Sequence, residues 1–231
     1  ALMLGATSMA ACSANNTNET TTTVGTQNET PSTLAGVEAE NITNTTASAK
    51  TPKYIFLFIG DGMSYPQIQL TNYYLSALAD TNNNDILESK NNLTMLDFPV
   101  AGSAQTYDSS SFCPDSASTA TSISTGHKTY SGTINMDETG SVSYETIAEK
   151  LKKQKGYEIG IISSVNINHA TPAAFYSHQA SRSDYYDIAL EMVNSGFDYF
   201  AGGGVKKPTG KDGDQKDIYE LAKEAGYTVA M

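Results

Sequence analysis

The sequence has no tryptophan, two cysteines and three histidines, and it has far fewer basic than acidic residues. The 14 Lys and Arg residues stand against 25 Asp and Glu residues, which gives a formal net charge of −11. Nucleic-acid binding needs clustered Lys and Arg side chains, so this balance argues against a nucleic-acid partner. An acidic protein can still bind an anion where a metal ion, a helix N-terminus or a buried Arg concentrates positive charge.

The scarcity of cysteine and histidine limits the structural chemistry further. Cys12 and Cys113 lie in regions of very different composition, so a disulfide framework is not expected. Only His127, His169 and His178 are available as imidazole ligands, which restricts the number of His-rich metal sites. The length of 231 residues nevertheless allows a sizeable core in one large domain or two small ones.

The sequence begins with an apolar stretch that has no Met and no charged segment before it. Residues 1–12 end in small residues before Cys12, and the letters MAAC resemble a bacterial lipoprotein cleavage box. We interpret this stretch as a signal-peptide remnant ending at a lipidated Cys12; an ordinary signal peptide with an incidental cysteine is the alternative. The interpretation predicts an extracytoplasmic protein, either anchored to the cell-surface membrane or secreted.

A change in composition separates a linker from the folded part of the chain. Residues 13–52 are rich in Thr and Asn and contain almost no large apolar side chains. Such a segment buries too little apolar surface to offset the entropy lost on ordering, so we predict a disordered linker. Folded structure is expected over residues 53–231.

Apolar, β-prone runs alternate with helical patterns from Lys53 onward. Strands are predicted at 54–59, 100–106, 158–163, 198–201 and from 227. Helices are predicted after Pro66, from an N-cap at Ser143 to Gly156, from an N-cap at Ser183 to Gly196, and at 217–224. This alternation favours an α/β fold with a mostly parallel central sheet and helices on both faces. The fold is expected to be incomplete at the C-terminus, where a strand is just beginning.

Three polar features follow predicted strands, where α/β sheets bind their ligands. Asp61 lies between two glycines after the first strand, and Ser116 lies in a small-residue turn into a helix. His169 follows the strand at 158–163, and Arg182 comes shortly after it. Taken singly, each has a plainer interpretation: a turn aspartate, a helix N-cap serine, a loop histidine and a surface arginine. For Ser116, the N-cap and a nucleophile at a helix N-terminus are equally compatible with the residues.

Together, three segments in order resemble the alkaline phosphatase family: FLFIGDGMS, PDSASTATSISTGHKTYSG and HATPAAFYSHQASR. The resemblance extends from about residue 53 to the end of the chain. The chain is therefore identified as the N-terminal part of the catalytic domain of a bacterial, lipoprotein-type member. The resemblance implies an alkaline-phosphatase-like fold and the hydrolysis of phosphate monoesters.

The resemblance also implies roles for the residues that act on the substrate. Ser116 would attack phosphorus and form a phosphoserine intermediate, with a zinc ion activating its hydroxyl. Arg182 would hold two phosphoryl oxygens, a geometry that suits its planar guanidinium. Asp115 would orient Arg182.

For cofactors, the resemblance implies two Zn²⁺ and one Mg²⁺. Asp61 would bridge a zinc ion and the magnesium ion, Ser116 would lie on the zinc, and Thr171 would be a magnesium ligand. His169 would contact the water shell of the magnesium indirectly. The family's remaining ligands lie in a C-terminal half that this sequence does not contain, so we expect the chain alone to be inactive.

Two histidines and Cys113 have no role in this interpretation, and other functions are possible alternatives to it. His127 and His178 match no ligand position and are expected to be structural or exposed. Cys113 is expected to pack as a lone thiol beside the active-site turn, because no Arg stands where a sulfatase motif requires it. Diester or phosphonate hydrolysis is one alternative. A non-catalytic surface lipoprotein that binds phosphate or a partner is another, and the family resemblance also admits a homodimer.

Overall fold

A computed structural model describes residues 51–80 and 93–230 of the chain. Its α-helices are α1 (Tyr65–Ala79), α2 (Ser116–Thr125), α3 (Ile147–Lys155), α4 (Ala170–Ala173), α5 (Tyr185–Asn194) and α6 (Ile218–Glu224). Its strands are β1 (Gly160–Ile162) and β2 (Tyr199–Ala201), and a short 3₁₀ helix covers Thr94–Asp97. The signal remnant 1–12 with Cys12, and the linker 13–52 apart from its last two residues, lie outside the described residues.

The two strands pair in parallel, with Gly160 opposite Tyr199 and Ile162 opposite Ala201. Parallel neighbours need a crossover connection, and here α4 and α5 provide it. The predictions of strands at 158–163 and 198–201 are confirmed, although each strand is shorter than predicted.

Three other strand predictions are wrong for the described residues. Residues 54–59, 100–106 and 227–230 belong to no strand. The apolar side chains of the first run face solvent, with Phe56 59% and Phe58 65% exposed. A strand requires a neighbour for its backbone hydrogen bonds, and the described part of the chain places none beside these runs.

Helix ends agree with the sequence better than helix starts. α3 ends at Gly156, which adopts the left-handed conformation at φ 68° as predicted. Its N-cap is Thr146, however, and the prediction of Ser143 is wrong because Ser143 pairs with Met136 in an antiparallel bridge. The N-cap of α5 is likewise Asp184 and not Ser183, the residue before it.

The core consists of buried apolar side chains from the helices and the loops between them, and Ile161 of β1 and Phe200 of β2 pack against it. Its fully buried side chains include Ile188 of α5, Ile218 of α6 and Ile134 of the loop after α2. α2 packs against α4, and α5 packs against α6. The contact between α2 and α4 brings together the two segments that carry Ser116 and Thr171. Within the described ranges, every helix is too short or too polar to cross a bilayer.

Candidate active site

Asp61 lies in a tight turn that follows the apolar run 54–59. The amide of Met63 donates to the Gly60 carbonyl at 3.1 Å, and Gly62 has φ 72°, a conformation that glycine adopts without strain. The turn leaves the Asp61 carboxylate exposed. It accepts a hydrogen bond from the Ser116 hydroxyl at 3.1 Å and another from the Thr171 hydroxyl at 2.7 Å.

Ser116 is the first residue of α2, and its neighbour Asp115 is the N-cap. The Asp115 carboxylate accepts the amide hydrogen of Ser118 at 3.0 Å, which is the ordinary N-cap contact. The N-cap interpretation of Ser116 is therefore wrong. The Ser116 hydroxyl, which is half-buried, is instead free to point toward Asp61, at the positive end of the helix dipole.

Thr171 lies in the short helix α4, where Pro172 follows it in the first turn. Because α4 packs on α2, the Thr171 hydroxyl reaches the second oxygen of the carboxylate that Ser116 contacts. A shallow depression lies at this junction. Its lining residues are Ile59, Asp61, Gly62, Thr106, Ser116, Thr119, Ala120, Ile123 and Thr171.

Arg182 is fixed at its backbone and at its guanidinium. Its amide donates to the Gly132 carbonyl at 2.7 Å, and Nη1 donates to the Asp115 carboxylate at 2.8 Å. Asp115 therefore has two contacts: one oxygen caps α2 and the other receives Arg182. The predicted pairing of Asp115 with Arg182 is present in the structure. The Asp115 side chain thus holds both the start of α2 and the guanidinium of Arg182.

Hydrogen bonding keeps the Asp115 carboxylate ionised. Its burial raises the pKa, but hydrogen bonds from the Ser118 amide and from Arg182 outweigh burial and lower the pKa below 3.8. An ionised Asp115 can accept from both donors at neutral pH, so the orientation of Arg182 is stable there.

His169 lies next to Arg182, with Nε2 3.3 Å from Nη2 of the guanidinium. A guanidinium only donates, so Nε2 must accept, and the hydrogen of the imidazole is then on Nδ1. Burial first, and then the positive charge of Arg182, lower the pKa of His169, in agreement with a neutral ring. Nδ1 is buried and has no hydrogen-bond partner among the described residues.

Sequence reasoning missed two residues that support this site, Asp108 and Ser118. The Ser118 hydroxyl lies 2.8 Å from the Asp108 carboxylate and 2.9 Å from that of Asp115. Asp108 is 5% exposed and also accepts from the amides of Ser110 and Ser111. The only sequence signal was the run of serines after Asp108, which is also typical of an ordinary Asx turn.

The remaining histidines and Cys113 lie outside the site. His127 stacks on Tyr144 with ring centroids 4.3 Å apart. His178 lies between two glutamates, so its predicted structural role is confirmed. Cys113 is exposed, and the expectation that it packs beside the turn is wrong.

Oxygen atoms dominate the site, which bears on the metals it could hold. The Asp61 carboxylate and the Ser116 and Thr171 hydroxyls converge on one place, and such an all-oxygen set suits Mg²⁺. Zinc in proteins prefers nitrogen or sulfur ligands together with carboxylates. Over residues 51–80 and 93–230, no three His, Cys, Asp or Glu side chains are grouped to hold a metal ion. These residues alone therefore fit a magnesium site better than a zinc site.

Comparison with known proteins identifies the chain's relatives. The family model described as alkaline phosphatase matches residues 52–228. Alkaline phosphatase 3 of Bacillus subtilis is 34% identical over 187 residues, which are 76% of this chain and 37% of that protein. The chain thus spans less than half the length of this curated relative.

Solved structures give the same result for the fold. A cold-active alkaline phosphatase from a psychrophilic Shewanella sp. is 30% identical with a TM-score of 0.58, over 73% of this chain and 39% of that chain. A histidine-to-aspartate variant of the alkaline phosphatase from the Antarctic bacterium TAB5 has Mg bound in its M3 site. It is 34% identical with a TM-score of 0.46, over 51% of this chain and 34% of that chain. The Shewanella structure confirms the predicted α/β fold class.

Proposed function

Since this chain belongs to the alkaline phosphatase family, we propose that it supplies the nucleophile and the phosphate clamp of a phosphomonoester hydrolase. Phosphatase activity is supported for the family as a whole. For this chain, the proposal assigns the nucleophile to Ser116 and the clamp to Arg182.

The observation that carries the proposal is the shared carboxylate of Asp61. Ser116 donates to one of its oxygens and Thr171 donates to the other, although the three residues come from distant parts of the sequence. A serine that served only to begin a helix would have no need of an acidic acceptor from another segment. Here Asp115 already caps the helix, and the Ser116 hydrogen is directed at a base.

The proposed reaction has two displacement steps at phosphorus. The Ser116 oxygen bonds to phosphorus as the bond to the substrate's alcohol oxygen breaks, and the alcohol leaves with a proton. Water then attacks the phosphoserine, which releases inorganic phosphate and restores the hydroxyl. In the proposed reaction Arg182, which Asp115 holds, pairs with phosphoryl oxygens and stabilises their charge in both steps.

The proposed magnesium ion would be held by Asp61 and Thr171, with His169 beside its water shell. A bound divalent cation supplies positive charge that lowers the pKa of a neighbouring hydroxyl. We also propose two zinc ions for the parent protein, but the described residues supply too few ligands for either. The chain by itself is therefore expected to be inactive.

Two further parts of the proposal concern the protein as a whole. We propose that it acts outside the cytoplasm, attached through a lipid on Cys12, because a signal-like stretch and a long polar linker precede the catalytic part. A homodimer is also proposed from the family resemblance. Cys12 lies outside the described residues, so these statements depend on the sequence alone.

The experiment that tests the function combines turnover with trapping of the intermediate. The parent protein that contains this chain is incubated with p-nitrophenyl phosphate, Zn²⁺ and Mg²⁺, quenched in acid, and analysed by mass spectrometry for phosphate on Ser116. We expect the label in the wild type and none in Ser116→Ala, with kcat lowered at least about 1,000-fold. Ser122→Ala is the matched control, because this serine lies in the same helix and donates to the Ser118 carbonyl.

Three outcomes would count against parts of the proposal. A phosphorylated residue other than Ser116 would refute the nucleophile assignment. Phosphate binding without turnover in the parent protein would favour the non-catalytic binding lipoprotein. Metal-dependent turnover by residues 53–231 alone would refute the expectation that this part is inactive.

A further inference from the structure

A second cluster of ionisable side chains surrounds His178. Its Nδ1 lies 3.1 Å from the Glu191 carboxylate, and its Nε2 lies 3.4 Å from the Glu149 carboxylate. The imidazole is 18% exposed, and the two carboxylates are 29% and 30% exposed. The ring is thus enclosed between acidic groups from two different helices, Glu149 of α3 and Glu191 of α5.

Each glutamate is held in place by further hydrogen bonds. Glu149 accepts from the Thr146 amide at 2.7 Å as part of the capping box that starts α3. Glu191 accepts from the His178 amide at 2.8 Å and from the Ser177 hydroxyl at 3.2 Å, and Gln179 donates to it as well. The backbone and the ring of His178 are therefore both attached to α5.

The segment fixed in this way leads directly to Arg182. Gln179 and Ile134 exchange backbone hydrogen bonds at 2.9 and 3.0 Å. Three residues later, the Arg182 amide donates to the Gly132 carbonyl. Segment 177–182 is thus held to α3 and α5 at its start and to the loop after α2 in its middle and at its end, where Arg182 lies.

We propose that His178 in its protonated form is a positioning residue, which holds segment 177–182 to α3 and α5 and releases this hold in alkaline solution. The contacts of His178 with α3 and α5 do not depend on the role of Arg182. Its relevance to phosphate binding rests on the function proposed above for Arg182.

The chemistry of the imidazole explains why the hold depends on its charge. Both ring nitrogens face carboxylates, and only the imidazolium can donate from both. A neutral ring would turn a lone pair toward one of the two acceptors, which is repulsive. Glu149 and Glu191 are the ionisable groups that face the ring from the two helices.

The direction of the pH effect follows from the pKa of His178. Burial lowers it, but the hydrogen bonds and charges of Glu149 and Glu191 outweigh burial and raise the pKa to about 9. A group whose pKa is raised by folding stabilises fully below its unfolded value, which is about 6.5 for histidine. The stabilisation is then lost as the pH rises through about 9.

The test uses NMR on the whole 231-residue chain, with no metal or substrate. We expect the His178 ring to titrate with a midpoint near 9. Over the same pH range, hydrogen-exchange protection of the Gln179 and Arg182 amides is expected to fall about tenfold. The Ser163 amide, which donates to Ala201 beside the two strands, is expected to keep its protection and serves as the internal control.

Glu191→Gln removes the negative charge beside His178 and keeps a side chain of similar size, so it tests the charge separately from the packing. Glu191→Gln should move the His178 midpoint to lower pH by about one unit and should move the loss of Arg182 protection with it. Asp187→Asn on the same helix is the matched control, because Asp187 is exposed, and it should leave both midpoints unchanged. The wild-type titration decides the question even if a variant folds poorly.

Two results would overturn the proposal: a His178 midpoint at the unfolded value, or unchanged Arg182 protection across the His178 titration. Neither measurement involves phosphate. The proposal can therefore fail while Ser116 is still shown to be the nucleophile, and the reverse also holds.

Discussion

Helices α5 and α1 differ in which of their side chains are buried. In α5, the side chains of Ile188, Ala189, Met192 and Val193 are buried in the core. In α1, the buried side chains are the polar Asn72 and Ser76, whereas Leu70 and Leu78 are 69% and 64% exposed. We call residues 54–79, which contain α1, the N-terminal arm, and residues 107–230, which contain α5, the body.

The difference shows that a helix can have its start specified by local sequence without having its apolar side chains buried by tertiary packing. α1 begins with Pro66 in its first turn, and the Ser64 amide donates to the Gln67 side chain at 3.0 Å, so its start is specified locally. The described residues leave most of the apolar side chains of α1 exposed. Helices gain most of their stability from burial of an apolar face, so the arm should add much less to stability than the body.

The largest expected effect comes from the core of the body. Ile188→Ala removes a side chain that is 0% exposed, and it should lower the free energy of unfolding by about 2–5 kcal/mol. Leu70→Ala in the arm should change it by no more than about 0.5 kcal/mol. Urea denaturation monitored by circular dichroism measures both changes. Equal losses of unfolding free energy for the two variants would contradict the distinction between arm and body.

A smaller effect is expected from the buried carboxylate of the body. Asp108→Ala leaves the donors of Ser110, Ser111, Ser118 and Ser131 without this acceptor, which should cost about 1–3 kcal/mol at pH 7. Burial raises the Asp108 pKa, but its hydrogen bonds outweigh burial and lower the pKa below 3.8.

The same variant has a defined pH dependence. A lowered pKa means that ionised Asp108 stabilises the fold above about pH 3.8, and that this stabilisation is lost as the pH falls through its folded pKa. The difference between wild type and Asp108→Ala should therefore shrink in acid. Urea midpoints measured from pH 7 down to pH 2.5 test this, and a constant difference would contradict the role of the charge.

α1 begins with a capping box of Ser64 and Gln67, and α3 with one of Thr146 and Glu149, so the two helix starts can be compared. Thr146→Ala removes the N-cap of α3 and its hydrogen bond to the Phe175 carbonyl, so it should cost about 1 kcal/mol of global stability. Ser64→Ala should instead lower the helix content of the arm without moving the main unfolding transition. Ser143→Ala is the control for Thr146, since Ser143 caps no helix. A global loss for Ser64→Ala as large as for Thr146→Ala would show that the arm and the body unfold together.

The smallest effect is expected at Cys113, in the body but on its surface. Because the Cys113 thiol is exposed, a disulfide reagent such as dithionitrobenzoate should label it without denaturant in a native Cys12→Ala variant, which removes the second cysteine of the sequence. Cys113→Ala should change the free energy of unfolding by no more than about 0.5 kcal/mol. A thiol that reacts only after unfolding would contradict the exposed position.

The helices show what a local pattern can and cannot predict. Gly156 and Gly196 were predicted from the sequence to end helices, because glycine adopts a positive φ more easily than other residues. The sequence pattern predicts the helix starts one to three residues too early, because Ser143 and Ser183 are as suitable for capping as Thr146 and Asp184. The strand at 54–59 was wrong for another reason: a strand depends on neighbours that local sequence does not specify.

The candidate site, too, could be predicted only in part from the sequence. Asp61, Ser116, Thr171 and Arg182 could be predicted because their motifs resemble a known family in a fixed order. The sequence leaves Ser116 as either N-cap or nucleophile, and the structure excludes the first role because Asp115 is the N-cap. The support from Asp108 and Ser118 could not be predicted, because it depends on contacts between ordinary serines and an ordinary aspartate.

The contacts of Asp61 also have a consequence for how the site forms during folding. Its partners Ser116 and Thr171 are 55 and 110 residues away along the chain. The entropy cost of closing a loop rises with its length, and long-range contacts slow folding. α2 can form from local interactions, whereas the carboxylate must arrive from a distant segment. The Ser116 hydroxyl is thus expected to acquire its acceptor late in folding, after the helices of the body have formed.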